Sequence, residues 1–316
     1  MAQTYRLYGT TVESTLSFDH HVPRARGAAE VRLEEGPPAP ASSSWPQMTV
    51  VHSVEGDDVS VPHALYRHPE EDRHVVRFRD AVDYTLSPDR ITYHLHDRGF
   101  AHAVEIWLLG PILSLWHELR GRPALHASAV AVGDGAIGFL ATNKGGKSTL
   151  AAALMRAGCP LLTDDILVID GADGEMIGRP SYPQMRMWPE QARHFVGDVS
   201  ALPRVVPHLT KRRVPVGGEG FGTFDETARP VTHLFLPEYR PDVDGVQVTP
   251  LPPQEAVTTL LRHAFLPNTV EELGLAADRL PTLTTLAKQA EVARLVYPEG
   301  AEHLPDVAET LRRATA

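Results

Sequence analysis

A chain of 316 residues is long enough for one large domain or two ordinary ones. With 42 % hydrophobic and 22 % charged residues it has a globular composition, and its net charge of −10 argues against general polyanion binding, so nucleic acid is not an expected partner. The one cysteine, Cys159, excludes a disulfide framework or a cysteine-based zinc cluster and fits a reducing compartment.

The opening "MAQTYRLYGTT" lacks a basic region followed by an apolar core, so no signal peptide is expected. Residues 1 to about 100 read as β-rich. "TYRLYGTTVES" and "HVVRFRDAVDYTLSPDRITYHL" alternate apolar with polar residues and carry many aromatic and β-branched side chains. Between them "EEGPPAPASSSWPQ" reads as a Pro/Ser-rich loop. "AHAVEIWLLGPILSLWHELRG" then predicts a largely buried helix, with Pro111 kinking it or starting a new segment. Its apolar core "IWLLGPILSLWHELRG" reads as too short and too interrupted to span a membrane. The expected location is the cytoplasm, with no membrane partner. The histidine pairs His20-His21 and His94/His96 lack supporting ligands and carry no site.

From "ALHASAVAVGDGAIGFLA" the texture changes. Two apolar strand candidates flank Gly133-Asp134-Gly135, a hairpin signal. Then comes "TNKGGKSTLAAALMRAG", a glycine-rich loop opening a helix, with Gly158 as its C-terminal cap. The usual phosphate loop is G-x-x-x-x-G-K-[ST]; here Ala141 stands at the first glycine, which alanine can fill if its φ is negative. Successive backbone N–H groups from Asn143, Lys144, Gly145, Gly146, Lys147, Ser148 and Thr149 would face phosphate oxygens. Lys147 would reach the β/γ-phosphates and Ser148 would ligate Mg²⁺. "CPLLTDDILVID" follows as an apolar strand carrying Asp164 and Asp165, which on a strand would point to opposite faces. Strand, loop, helix and strand in this order form the context a phosphate loop requires.

The remainder alternates strands ("VTHLFLPEY", "GVQVTPLP") with helices ("PQEAVTTLLRHAF", "LPTLTTLAKQA", "LPDVAETLRRA") and shows no internal repeat. "KRR", Lys211, Arg212 and Arg213, is a candidate clamp for phosphates or a substrate carboxylate. Arg186, between apolar neighbours in "QMRMWPE", is expected to be partly buried and paired. "GGEGFG" at 217–222 reads as a lid or substrate loop. The expected division is 1–120, a β-rich domain ending in a helix and open to peptide or substrate binding, and 121–316, a phosphate-loop catalytic domain.

These residues carry a resemblance. "LHASAVAV…GFLATNKGGKSTLAAALMRAGCPLLTDDILVID" resembles the bacterial HPr kinase/phosphorylase family, and more closely its shorter relatives, among them peptide kinases of lasso-peptide gene clusters. It covers roughly residues 105 to 310 and includes "YPQMRMWPE", "KRRVPV" and "LVYPEGAEHLPDV". The leading "YRLYGTTVES" is also similar to the start of these relatives. The resemblance implies an α/β fold: a PEP-carboxykinase-like, HPr-kinase-like phosphate-loop domain with a mixed sheet, preceded by the smaller β-rich domain. It implies ATP and Mg²⁺ and phosphate transfer to a serine hydroxyl. Of the acids Asp164 and Asp165, it implies one as base and the other, with Ser148, as metal ligand, Asp165 being favoured as the base; His126 matches a histidine beside the base, and Lys147 binds phosphate. The chain departs from the family at Ala141 and at Asn143-Lys144, and has no match to the acidic-Arg-Gly segment tied to phosphorolysis. The expected function is an ATP-dependent serine or peptide kinase, its acceptor being the C-terminal serine of a lasso-peptide precursor; a small hydroxylated metabolite and a non-catalytic ATP-binding regulator are the alternatives. The partners are thus nucleotide and a peptide or small-molecule acceptor, with homo-oligomerisation left open.

Overall fold

The computed structural model describes residues 2–18, 22–39, 49–54, 63–68, 71–78, 80–206 and 209–315. His20-His21 and most of the Pro/Ser-rich loop, 40–47, lie outside the described residues. Alternating sequence at the start produces an eight-stranded sheet: β1 (Gln3–Leu7), β2 (Thr10–Ser14), β3 (Val31–Glu35), β4 (Thr49–Val54), β5 (His63–Arg67), β6 (His74–Phe78), β7 (Val82–Leu86) and β8 (Arg90–Leu95). Their order is β1-β2-β3-β8-β7-β6-β5-β4, with β3 parallel to both neighbours and the other pairs antiparallel. The turn joining β1 to β2 is Tyr8-Gly9, both at positive φ (50° and 68°) as a two-residue hairpin turn of type I′ requires. A tyrosine there is strained, and two anchors hold it: its side chain is buried, and its hydroxyl donates to Leu109 O at 2.5 Å.

A helical run from Arg98 to Glu118 covers this sheet. It comprises α1 (Ala101–Trp107), a wider π-type turn over Leu108–Ile112, and α2 (Leu113–Glu118). The expected kink falls at Gly110-Pro111, where Gly110 has φ −106° and ψ −107°. Tyr84 donates to Val104 O at 2.6 Å and Trp116 to Ser87 O at 3.2 Å, tying helix to sheet. The length expectation needs correcting: the run is 21 residues, long and apolar enough to cross a membrane by length and composition alone. Pro111 bends the helix without ending it, and 67 % of the most apolar window is buried inside the protein, as a core helix would be.

The second sheet gathers β9 (Ala124–Leu125), β10 (Ala127–Val132), β11 (Gly135–Leu140), β12 (Leu161–Thr163), β13 (Leu167–Ala172) and β14 (Glu175–Arg179). A two-stranded ribbon of β15 (Gln184–Met187) and β16 (Arg212–Pro215) stands apart, and β17 (Arg229–Arg240), β18 (Gln247–Pro250) and β19 (Glu291–Pro298) complete the large sheet. Its path is β12-β10-β11-β17-β14-β13-β9, with β19 joining β17 and β18 joining β19. β17 runs parallel to β11 and β19, so the sheet is mixed. The Gly133-Asp134 hairpin joins β10 to β11 as expected.

Helices cover both faces: α3 (Lys147–Arg156), α4 (Pro189–Val196), α5 (Pro253–Arg262), α6 (Pro267–Glu272), α7 (Ala276–Gln289) and α8 (Leu304–Thr315). β11 shows why. Ile137 and Phe139 face one buried cluster with Leu150 and Leu154 of α3 and Val307 and Leu311 of α8; Ala136 and Leu140 face another with Leu260 of α5 and Leu283 and Leu286 of α7. In α8, Leu304, Val307, Ala308 and Leu311 form the apolar stripe of an amphipathic helix. A third cluster joins the first sheet to the second: Tyr8, Tyr84 and Trp116 pack in it with Ile166, Val168 and Tyr182. Gly9 also exchanges bonds with the second sheet, donating to Pro180 O at 3.0 Å and accepting from Arg179 at 3.1 Å.

Candidate active site

The loop 141–146 leaves the end of β11 and enters α3 at Lys147. Ala141 is absent from the non-glycine positions with positive φ among the described residues, so alanine fits the first-glycine place as expected. The turn is made later, by Lys144 (φ 63°) and Gly146 (φ 85°). Gly145 must lack a side chain, since a Cβ there would come within 2.5 Å of the Ala141 Cβ. At the other end α3 closes with Gly158 at φ 95°; Gly158 N–H donates to Met155 O and Cys159 N–H to Leu154 O, each at 3.0 Å.

Lys147 folds back over the loop. Its Nζ donates to Ala141 O at 2.7 Å and Thr142 O at 3.1 Å, and lies 2.8 Å from His126 Nε2. Burial lowers the ammonium's pKa, against the pull of Asp165 and Asp164. Burial also lowers the pKa of the His126 imidazole, opposed by Asp165 and reinforced by Lys147 and Lys211. A neutral ring that accepts from Lys147 at Nε2 carries its proton on Nδ1, which lies 3.6 Å from Asp165 Oδ1.

The two aspartates depart from expectation. The apolar segment is not one strand: β12 ends at Thr163, β13 starts at Leu167, and Asp165 takes φ 76° in the bend between them. Strand alternation therefore does not separate the carboxylates, and both face the start of α3, where Lys147 and Ser148 lie. Asp164 Oδ1 accepts from Ser148 Oγ at 2.8 Å and Ser128 Oγ at 2.6 Å, while Oδ2 accepts from the Arg186 N–H at 2.8 Å. Asp165 Oδ2 lies 3.4 Å from Arg186 Nη1. Burial pushes the Asp165 carboxyl up, but Arg186, then Lys211, His126 and Lys147, more than offset it and hold its pKa below the ordinary carboxylate value. Arg186 is itself stabilised as a cation: burial opposes the charge, yet Tyr182, Asp165, Tyr8 and Asp164 together raise its pKa.

Arg186 is therefore partly buried and paired, as its sequence context suggests, on the ribbon strand β15. Lys211 lies close enough to act on Asp165, His126 and Lys147, with its Nζ 5.9 Å from the Trp188 ring centroid. Arg212 and Arg213 instead turn to the main chain, donating to Leu202 O at 3.0 Å and Val205 O at 3.1 Å. Lys144 reaches toward Trp188 at 5.3 Å, Asn143 is exposed on the loop, and Thr149 accepts from Gln191 Nε2 at 2.6 Å, which docks α4 on α3. The "GGEGFG" segment is a tight turn: Gly220 N–H donates to Gly217 O and Phe221 N–H to Pro215 O, both at 2.8 Å.

Sequence reasoning missed Ser128, Tyr182 and Tyr8. Ser128 left one signal: it is the one hydroxyl in the otherwise apolar β10, two residues after His126, which sits in the bend between β9 and β10. Tyr182 accepts from Arg186 Nη2 at 3.3 Å, and the Tyr8 ring meets it edge-on at 6.3 Å; no local pattern announces either contact.

Mg²⁺ fits the donors here. Ser148 and Asp164 offer hard oxygens side by side, and no group of three or more His, Cys, Asp or Glu among the described residues could cage a metal. This suits an ion that takes one or two protein oxygens and completes its shell from phosphates and water.

No family model and no curated protein matches the sequence. Among solved structures the chain is similar to the Hpr(Ser) kinase/phosphatase from Coxiella burnetii, with 12 % identity over 60 % of this chain and 94 % of that one and a TM-score of 0.29. A superposition this loose leaves the chemistry to be argued from the site's own atoms.

Proposed function

We infer that the chain is an ATP-dependent kinase that transfers the γ-phosphoryl group to a serine hydroxyl of a peptide. One observation carries this: a carboxylate, Asp165, is kept ionised by Arg186 and neighbouring cations beside a phosphate loop with its lysine and serine. A protein that only binds nucleotide has no use for a free base at that place. Lys147, now resting on main-chain carbonyls, would exchange them for β/γ-phosphate oxygens. Ser148 and Asp164 would hold Mg²⁺, which supplies charge neutralisation on those oxygens.

Asp165 accepts the proton of the acceptor hydroxyl as its oxygen bonds to the γ-phosphorus. The bond from that phosphorus to the β-bridging oxygen breaks, and ADP leaves with the electron pair. His126 keeps its Nδ1–H toward Asp165 and its Nε2 toward Lys147, coupling base and phosphate ligand. The acceptor we favour is a peptide ending in serine, such as a lasso-peptide precursor, because its α-carboxylate would meet Lys211. That preference is supported by the resemblance of the leading segment and the phosphate-loop region to kinases of such peptides.

The test is phosphate incorporation into a serine-terminated peptide by wild type, Asp165→Asn and Asp164→Asn. Asp165→Asn should lower turnover by roughly 10²–10⁴-fold with ATP affinity kept, since a base acts on the acceptor. Asp164→Asn should raise the Mg²⁺ concentration needed for half-maximal rate. The reverse pattern would exchange the two roles. Full turnover in both variants would end the kinase reading, and labelling of a hydroxylated metabolite alone would replace the peptide.

A further inference from the structure

One cavity lies apart from the candidate active site. It has a volume of about 1100 Å³ and opens between the β15–β16 ribbon, the end of α4 and the 217–222 turn. Its apolar wall includes Phe195, Phe221 and Phe224, and its carboxylates are Asp198, Glu219 and Glu226. Among the described residues no lysine, arginine or histidine lines it. The Asp198 side chain accepts from the N–H and hydroxyl of Ser200, and among the described residues no cation pairs with any of the three acids. The nearby Arg156 donates to the carbonyls of His194 and Phe195 instead. Three unpaired, solvated carboxylates around an aromatic wall call for an occupant that is cationic and apolar at once.

We propose that this cavity docks a segment of the peptide acceptor in which lysine or arginine alternates with large apolar side chains; this rests on the kinase reading above. The ribbon gives the link to the chemistry. Arg186, on Asp165, and Pro183, on the cavity wall, are three residues apart, about 10 Å of extended chain. The cationic segment thus lies roughly three to five residues from the phosphorylated serine in an extended acceptor. The glycine-rich turn finds its use here. Gly217, Gly218 and Gly222 take φ of 77°, 57° and 64°, and a Cβ on Gly220 would come within 2.5 Å of Pro215 O, so glycines alone let the chain double back and hold Glu219 at the mouth.

The probe is a serine-free hexapeptide alternating lysine with leucine or phenylalanine, titrated calorimetrically into the full chain. Wild type should bind it, and the Asp198→Asn/Glu219→Gln/Glu226→Gln variant should bind at least tenfold more weakly. A control that neutralises the exposed Asp173, Glu175 and Asp278 should stay within twofold of wild type. Equal weakening in both variants would reduce the effect to bulk charge and overturn the proposal, as would no binding by wild type. Because the probe has no hydroxyl acceptor, binding that persists while phosphate transfer fails in every acceptor would end the kinase reading and leave the docking cavity standing.

Discussion

The guanidinium of Arg186 lies 3.4 Å from Asp165 Oδ2, and the N–H of the same residue holds Asp164 at 2.8 Å. One arginine thus holds both acids and favours the ionised form of Asp165. Removing that charge lets burial of Asp165 prevail.

Arg186→Met should therefore raise the Asp165 pKa. Base activity requires the ionised form, so the acidic limb of kcat/KM should move to higher pH, by about 1–3 units. Arg186→Lys should restore part of the shift. A pH–rate profile with the limb unmoved and only kcat lowered would assign Arg186 to substrate rather than to Asp165.

Lys147→Ala removes the cation expected on the β/γ-phosphates. Charge-assisted contacts of this kind contribute about 1.5–3 kcal/mol, so calorimetry should show ATP affinity at least tenfold weaker. Unchanged affinity would make the loop a helix cap only.

The three cations of "KRR" should separate. Lys211 acts on the site, whereas Arg212 and Arg213 tie the 202–205 segment to β16. Lys211→Ala should raise KM for a serine-terminated free acid several-fold, and amidating the peptide should impair wild type equally but add nothing to the variant. Arg212→Ala should instead show as a lower urea midpoint. Equal rates for acid and amide in wild type would remove the carboxylate handle and point to an internal serine.

A buried ion pair joins the two halves of the chain away from the site. Arg279 Nε on α7 lies 3.2 Å from Glu118 Oε2 on α2, with 2 % and 1 % of the side chains exposed. Burial pushes the Glu118 carboxyl up to about 7, against Arg279 and the Ala124 N–H. Arg279→Met should cost about 3–5 kcal/mol at pH 8, where Glu118 must either ionise without its partner or take up a proton against the solution pH. The loss should shrink toward pH 5: a carboxyl whose folded pKa exceeds its unfolded one destabilises increasingly as pH rises through that interval. Glu118→Gln/Arg279→Met should recover most of it in urea unfolding; no recovery would mean that packing, not charge, is what Arg279 contributes.

The local parts of the site were legible in sequence. Strand, loop and helix around Lys147 follow from periodicity and glycine placement, as do the Gly133-Asp134 hairpin and the kink at Pro111. The acidic pair was legible as chemistry but not as geometry, because the left-handed bend at Asp165 is imposed by β12 and β13 running to different neighbours. Periodicity missed β15 and β16, which are four residues each and held by their partners rather than by propensity. The Tyr8–Tyr182 contact is written in no window of sequence at all.

That contact has a cost in time. Gly9 and Arg179, which bond beside it, are 170 residues apart in the chain. During synthesis at about 5–20 residues per second, the strained Tyr8 turn would emerge roughly 10–35 s before its partner exists. Until then the first sheet holds an unsatisfied aromatic surface, and the brace beneath Arg186 is missing. The charged surroundings of Asp165 therefore assemble only after Arg186 and Lys211 have been made, well after the first sheet has emerged.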